Sequence, residues 1–193
     1  MTDKSEARQL VRERRSTLAD GWVREASARA CRRLDALQAM QEAHTVGCYL
    51  ASRMEVQTDA LVQAAWARGQ QVGVPARVGP QGYGWVTYMP GQPLVAGPMG
   101  ILQPEGGDCL VGPVEVCVVP GVAFDRYGGR VGYGRGIYDR LLAGAPCSDH
   151  TLRIGLAFGF QVLDRVMVEP HDIRMHWIVT DDNARPAETP LDD

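Results

Sequence analysis

The sequence predicts an α/β layered fold: a mostly parallel central sheet flanked by helices, open and Rossmann-like, in one domain over residues 1–182. Two observations carry this. Residues 45–76 read as strand, loop, helix and strand, a unit whose crossover brings its two strands together in parallel. Residues 116–119, Val-Cys-Val-Val, form an apolar β-branched run of the kind that makes a buried strand, and a glycine-rich segment and a helical pattern follow it. At 193 residues, with 45% hydrophobic and 22% charged, the chain is long enough for a substantial core.

In order along the chain, residues 3–19 read as an amphipathic helix with Ala7, Leu10, Val11 and Leu18 as its apolar stripe and Thr2 or Asp3 as cap. A second helix spans about 20–41, with Val23, Ala26, Ala30, Leu34 and Leu37 at helical spacing. A strand at 45–52 leads through a short loop to a helix from Thr58 and Asp59 to about Arg68, which Gly69 ends. Strands follow at 71–76 and at 83–89, the latter with antiparallel-edge character. Residues 90–113 carry five prolines and read as a long connection with little regular structure. Met99, Ile101 and Leu102 within it favour packing. After the glycine-rich unit come a strand at 153–159, a short turn or connector, and a last strand, Trp-Ile-Val-Thr. The acidic, proline-containing tail, 183–193, is expected to fray.

The formal net charge of −3 argues against general binding of nucleic acid. Arginines are nevertheless bunched: Arg8, Arg12, Arg14 and Arg15 in the first helix, and Arg126, Arg130 and Arg135 among the glycines. A local anion site fits this better than a polyanion-binding face. The five cysteines have no C-x-x-C spacing, and Cys48 and Cys117 sit in strand-like runs, so they read as small buried hydrophobes. The first ten residues are too charged for a signal peptide, and no apolar run approaches about 18 residues. The expected location is the cytoplasm, with no membrane involved.

The chemistry is expected at 116–142. Pro120-Gly121 breaks the strand, and Gly128, Gly129, Gly132, Gly134 and Gly136 follow, with a helix starting near Ile137. Glycines let backbone N–H groups approach a phosphate, and clustered arginines neutralise it. The segment is neither a Walker A sequence nor a G-x-G-x-x-G fingerprint. Asp139, in the first helical turn, reads either as a helix-dipole carboxylate or as a Mg²⁺ ligand beside phosphates, and spacing leaves both open. His171-Asp172 reads as a general base, a metal site or a capping turn. Glu55 and the Lys4/Arg8 face read as solvated groups on pattern alone. In an open parallel sheet the ligand sits beyond the carboxyl ends of the strands, where the loops after Ser52, Pro120 and Gly159 converge.

The run PGVAFDRYGGRVGYGRGIYDRLL resembles the hallmark of the 5-formyltetrahydrofolate cyclo-ligase (5,10-methenyltetrahydrofolate synthetase) family. KSEARQLVR near the N-terminus, MEVQT, GILQP, EPHD and IVT are similar to family segments in family order. The resemblance implies an ATP- and Mg²⁺-dependent ligase that closes 5-formyltetrahydrofolate to 5,10-methenyltetrahydrofolate with release of ADP and phosphate. The resemblance implies folate and ATP as small-molecule partners, and a monomer is expected.

By that resemblance ATP is held by Lys4, Arg8 and the run Arg130, Val131, Gly132, Tyr133, Gly134, Arg135, Gly136, Ile137 and Tyr138. Arg130 and Arg135 are the implied catalytic pair, stabilising the transferring phosphoryl group. Asp139 and Asp172 are the implied Mg²⁺ ligands, and Leu50, Glu55 and Tyr138 the folate side. Family members often have glycine or lysine at Arg135, an aromatic at Ile137 and aspartate at His176. Two other readings remain: a non-catalytic member of the same fold that binds nucleotide or folate, and an enzyme for another formylated metabolite.

Overall fold

The computed structural model describes residues 1–52, 54–79, 82–97 and 102–189. The first half contains helices α1 (Lys4–Ser16), α2 (Asp20–Asp35) and α3 (Gln38–Glu42), strand β1 (Thr45–Gly47), helix α4 (Asp59–Ala67), and strands β2 (Gln71–Arg77) and β3 (Tyr83–Thr87). Next come β4 (Leu94–Ala96), β5 (Leu102–Pro104), β6 (Val116–Val119), β7 (Ala123–Asp125), β8 (Arg130–Val131) and helix α5 (Ile137–Ala143). The chain ends with β9 (Leu152–Leu156), β10 (Val162–Leu163), β11 (Trp177–Val179) and β12 (Ala184–Pro186). Seven strands form the main sheet in the order β12-β11-β9-β6-β1-β2-β3. The five inner strands are parallel, and the two edges, β3 and β12, are antiparallel to their neighbours.

Strand periodicity explains the two-faced core. Val116 and Val118 of β6 pack with α2 and α4 on one side, while Cys117 and Val119 pack with α5 and Phe124 on the other. A second, three-stranded sheet, β10-β7-β8, lies beside this layer. Ala7 and Val11 of α1 pack on it against Val122, Ala123, Val131 and Val166. Phe124 fastens the small sheet to the large one, for a Cβ added at Gly121 or Gly155 would come within 2.6 Å of its ring.

Several expectations change. The tail does not fray at its start: β12 pairs with β11, and Glu188 N–H donates to the Arg126 carbonyl. Residues 190–193 of that tail lie outside the described residues. The expected second helix is two, because the chain is extended at Leu37, and the Gln70 amide then caps the Met40 and Ala43 carbonyls. The first strand ends early, at Gly47, and beyond it the Thr58 hydroxyl donates to the Tyr49 carbonyl at 2.6 Å. The long connection holds the β4/β5 hairpin, on which Leu102 is exposed; Met99 and Ile101 lie outside the described residues. Leu10 is exposed, whereas Arg15 takes the buried position on α1. Among the described residues no helix is long and apolar enough to cross a membrane.

Candidate functional site

Helix α1 forms one wall. Asp3 caps it, accepting from the Ser5 and Glu6 N–H groups at 2.7 and 2.9 Å, and those bonds hold its carboxyl below the usual range. With Ala7 and Val11 fixed on the small sheet, Arg8, Arg12 and Arg15 line up along the flank that faces the glycine segment, and Lys4, one turn earlier, faces the 169–172 turn. Arg8 Nε donates to the Gly132 carbonyl at 2.8 Å. A cleft of about 440 Å³ opens here, with Arg8, Arg12 and Arg15 on one side and Ser52, Met54 and Tyr133 on the other.

The glycine segment is more ordered than a bare loop, because β7 and β8 make a hairpin within it. Its turn is held by Asp125, which is buried. Asp125 Oδ1 accepts from Tyr127 N–H at 2.9 Å and Gly129 N–H at 2.8 Å, and Oδ2 from Val166 N–H at 2.9 Å. The turn places Gly128 at φ +79°, within reach of the 170s segment, where Met175 N–H donates to its carbonyl at 2.9 Å.

Arg130 is buried. Its Nη2 meets Asp139 Oδ1 at 2.7 Å, and its guanidinium lies 5.8 Å from the Tyr138 ring centroid. Arg130 Nε is buried with no hydrogen-bond partner among the described residues, a costly arrangement that a bound anion would relieve. Tyr138 packs edge-on to Trp85, with centroids 6.4 Å apart, and burial, with the nearby Cys117 and Glu55, pushes its phenol well up. Val131 is in the core, Ile137 is half-buried, and Gly132, Tyr133, Gly134, Arg135 and Gly136 form the outward part of the loop. The Arg135 side chain is exposed and its carbonyl accepts from Arg140.

Glu55 is buried and joined to the glycine loop, with its Oε1 accepting from the Tyr133 hydroxyl at 3.0 Å. Leu50 is half-buried and lines a different, smaller recess of about 90 Å³, with Asp59 and Tyr88. Lys4 is not a free cation. Its Nζ donates to Glu169 and, at 2.6 Å, to Asp172 Oδ2. The turn reading of 169–172 holds as well, since Glu169 N–H donates to Asp172 Oδ2 at 2.7 Å. Glu169, His171 and Asp172 present ligand atoms within 4.8 Å of one another, a set that excludes Asp139. The two expected metal carboxylates therefore have separate cationic partners, Arg130 for Asp139 and Lys4 for Asp172.

The roles of Arg15, Asp125 and Glu169 were not read from sequence. Arg15 had a signal, for it continues the i, i+4 stripe of Ala7 and Val11. Asp125 had one too, as an aspartate opening a turn before two glycines. Glu169 had none beyond its neighbour Asp172.

The Lys4–Asp172 pair fixes a pH dependence. Burial alone would raise Asp172, but the Glu169 N–H and Lys4 outweigh it and hold the carboxyl below 3.8. Burial alone would lower Lys4, but its two carboxylates outweigh that and hold it above 10.5. A depressed acid stabilises the fold above its unfolded pKa and loses this as pH falls through its folded value. A raised lysine stabilises below its unfolded pKa and loses this as pH rises through its folded value. The pair thus contributes across the whole neutral range. Lys4→Met is expected to lower stability at pH 7 by about 1 kcal/mol, discounted for partial exposure, with the difference fading as pH falls through the depressed folded value of Asp172. Urea titrations taken from pH 7 down through the acid range check this, and a loss that never shrinks would reject the ion pair as its source.

A model of the 5-formyltetrahydrofolate cyclo-ligase family matches residues 1–181. The 5-formyltetrahydrofolate cyclo-ligase of Escherichia coli K12 is 31% identical over 177 residues, which cover 89% of this chain and 96% of that protein. The NMR structure of Aquifex aeolicus 5,10-methenyltetrahydrofolate synthetase is similar with a TM-score of 0.81 at 30% identity, over 98% of this chain and 95% of that one. A 5,10-methenyltetrahydrofolate synthetase from Mycoplasma pneumoniae reaches a TM-score of 0.72 over 92% of this chain and 98% of its own, and at 19% identity it speaks to the fold alone. With its sequence matched over residues 1–181 and its fold shared with these structures, the chain belongs to the 5-formyltetrahydrofolate cyclo-ligase family.

Proposed function

We propose that the chain closes 5-formyltetrahydrofolate to 5,10-methenyltetrahydrofolate at the expense of ATP, with Mg²⁺, releasing ADP and phosphate. The observation that carries this reading is the buried Arg130, paired with Asp139 and holding an unshared Nε, in the same glycine segment that closes an arginine-lined cleft. A cation held in that way suits a phosphoryl group whose charge spreads as it transfers.

The formyl oxygen is a poor leaving group. Attack by that oxygen on the γ-phosphorus forms an O–P bond as the bond to ADP breaks. N10 then adds to the activated carbon, phosphate departs with the oxygen, and the N10 proton passes to solvent. Such a reaction asks the protein for positioning and charge neutralisation rather than a nucleophile of its own. Lys4, Arg8 and the 130–138 segment would hold the phosphates, with Arg130 and Arg135 nearest the transfer. Glu55, Leu50 and Tyr138 would line the folate side, the carboxylate of Glu55 accepting from the amino-pyrimidine edge.

Asp172, with Glu169 close beside it, offers the hard oxygen donors that Mg²⁺ prefers, and Asp139 offers another from its separate place beside Arg130, so the donor chemistry fits. When bound, the ion supplies neutralisation of the phosphate oxygens. Lys4 and Arg130 compensate the same carboxylates in its absence. The same reading makes the protein a cytoplasmic monomer acting on small molecules.

Purified protein given 5-formyltetrahydrofolate, ATP and Mg²⁺ is expected to form the absorbing methenyl product with one ADP per turnover. No product, with ADP binding intact, would sink this reading in favour of a non-catalytic binding protein of the same fold. Product formation from another formylated compound, with folates failing to compete, would favour the remaining alternative.

A further inference from the structure

Glu55 is already occupied. Its Oε2 takes the Ser52 N–H at 2.8 Å and its Oε1 takes the Tyr133 hydroxyl at 3.0 Å. The same hydroxyl accepts from Arg15 Nη1 at 2.8 Å, while Arg15 Nη2 donates to the Gly121 carbonyl at 3.2 Å. The Arg15 guanidinium also lies 5.9 Å from the Tyr133 ring centroid. One phenol thus ties together α1, the loop after β1 and the glycine loop.

The tie is built to release. The hydrogen bonds of Tyr133 are all at its tip, and the residue remains 56% exposed, so little apolar burial is lost when it swings away. Glycines stand on either side of it, and Gly134 has φ +91°, a backbone state most residues resist. Burial of the hydroxyl and the charge of Glu55 push the phenol up to about 12, so it stays a protonated donor through the neutral range.

We propose that Tyr133, positioned by Arg15, competes with the substrate for Glu55 and so sets which ligands enter. In the ligand-free protein the glycine loop is latched to the carboxylate. A ligand with paired N–H donors, such as the amino-pyrimidine edge of a folate, replaces the phenol with two bonds for one. A ligand that offers only acceptors or negative charge gains nothing from Glu55 and leaves the latch shut. The inference rests on Glu55 serving the folate side, as proposed above. It adds Tyr133 as a specificity-determining residue and Arg15 as the positioning residue behind it.

Tyr133→Phe keeps the ring and removes the competing hydroxyl. In the ligand-free protein, amide hydrogen exchange at 132–136 is expected to quicken several-fold. Calorimetric titration with 5-formyltetrahydrofolate, without ATP, is expected to show about fivefold tighter binding, the size of one modest hydrogen bond removed from competition. In turnover, the KM for folate is expected to fall relative to the KM for ATP. Arg15→Lys, which keeps the charge but not the fork, should fall between wild type and Tyr133→Phe in exchange rate. Unchanged exchange in Tyr133→Phe would overturn the latch. Faster exchange with unchanged or weaker folate binding would overturn the competition. If neither wild type nor variant binds folate while exchange still quickens, the proposed reaction fails and the latch stands.

Discussion

Replacing Arg130 with methionine is expected to lower kcat/KM for cyclisation by about a hundred- to a thousandfold, the loss typical when a preorganised charge partner is removed from a transition state. The residue is only 7% exposed, so its guanidinium would meet a phosphate with little competing water. The same variant strands Asp139, whose bond to Arg130 at 2.7 Å is its closest tie to the glycine segment, and a stability cost of about 1–3 kcal/mol follows. These two consequences separate in Arg130→Lys, which keeps a cation beside Asp139 without the planar fork: it should keep most of the stability while activity stays low. Recovery of activity along with stability would show that Arg130 acts only as the charge partner of Asp139.

Gly128→Ala is expected to give the largest loss of stability among single methyl additions near the site, at least about 2 kcal/mol. Two costs combine there. The residue has φ +79°, and an added Cβ would lie 2.2 Å from the Met175 carbonyl oxygen, which belongs to backbone and cannot step aside. The 170s segment carries Asp172 and His171 on the same stretch, so the change should also weaken the Lys4 contact at a distance. Guanidinium unfolding of the variant measures the cost, and a midpoint equal to wild type would contradict the close approach. Gly69, with a similar φ of +79° but open space around its Cβ, is the matched control and should lose less.

The parallel frame was legible because strand and helix periodicities dominate it. The β1-α4-β2 unit and the apolar run of β6 announce themselves, and the tight alternation of Val116, Cys117, Val118 and Val119 between two cores follows from the pleat. The short strands were not legible. β8 and β10 have two residues each and no pattern of their own; backbone pairing with β7 makes them strands. For the site, glycines and arginines in one run pointed to the right segment. Whether an arginine lies inside or outside does not follow from such a run, as Arg130 and Arg135 show. Contacts between distant segments, such as Tyr133 with Glu55 or Lys4 with Asp172, come from tertiary packing and leave no mark in local spacing.

The last described residues bear on how the molecule behaves in company. A sheet whose outer strands are bare offers unpaired N–H and carbonyl groups to any passing chain. Here β12 closes one flank and finishes in Pro186, which has no N–H to offer. On the opposite flank the segment 108–110 lies along β3, with Thr87 N–H donating to the Asp108 carbonyl and Leu110 N–H to that of Trp85. A chain cut before Ala184 would keep every residue of the proposed site and is expected to expose β11 as a sticky edge, with solubility the first property to suffer.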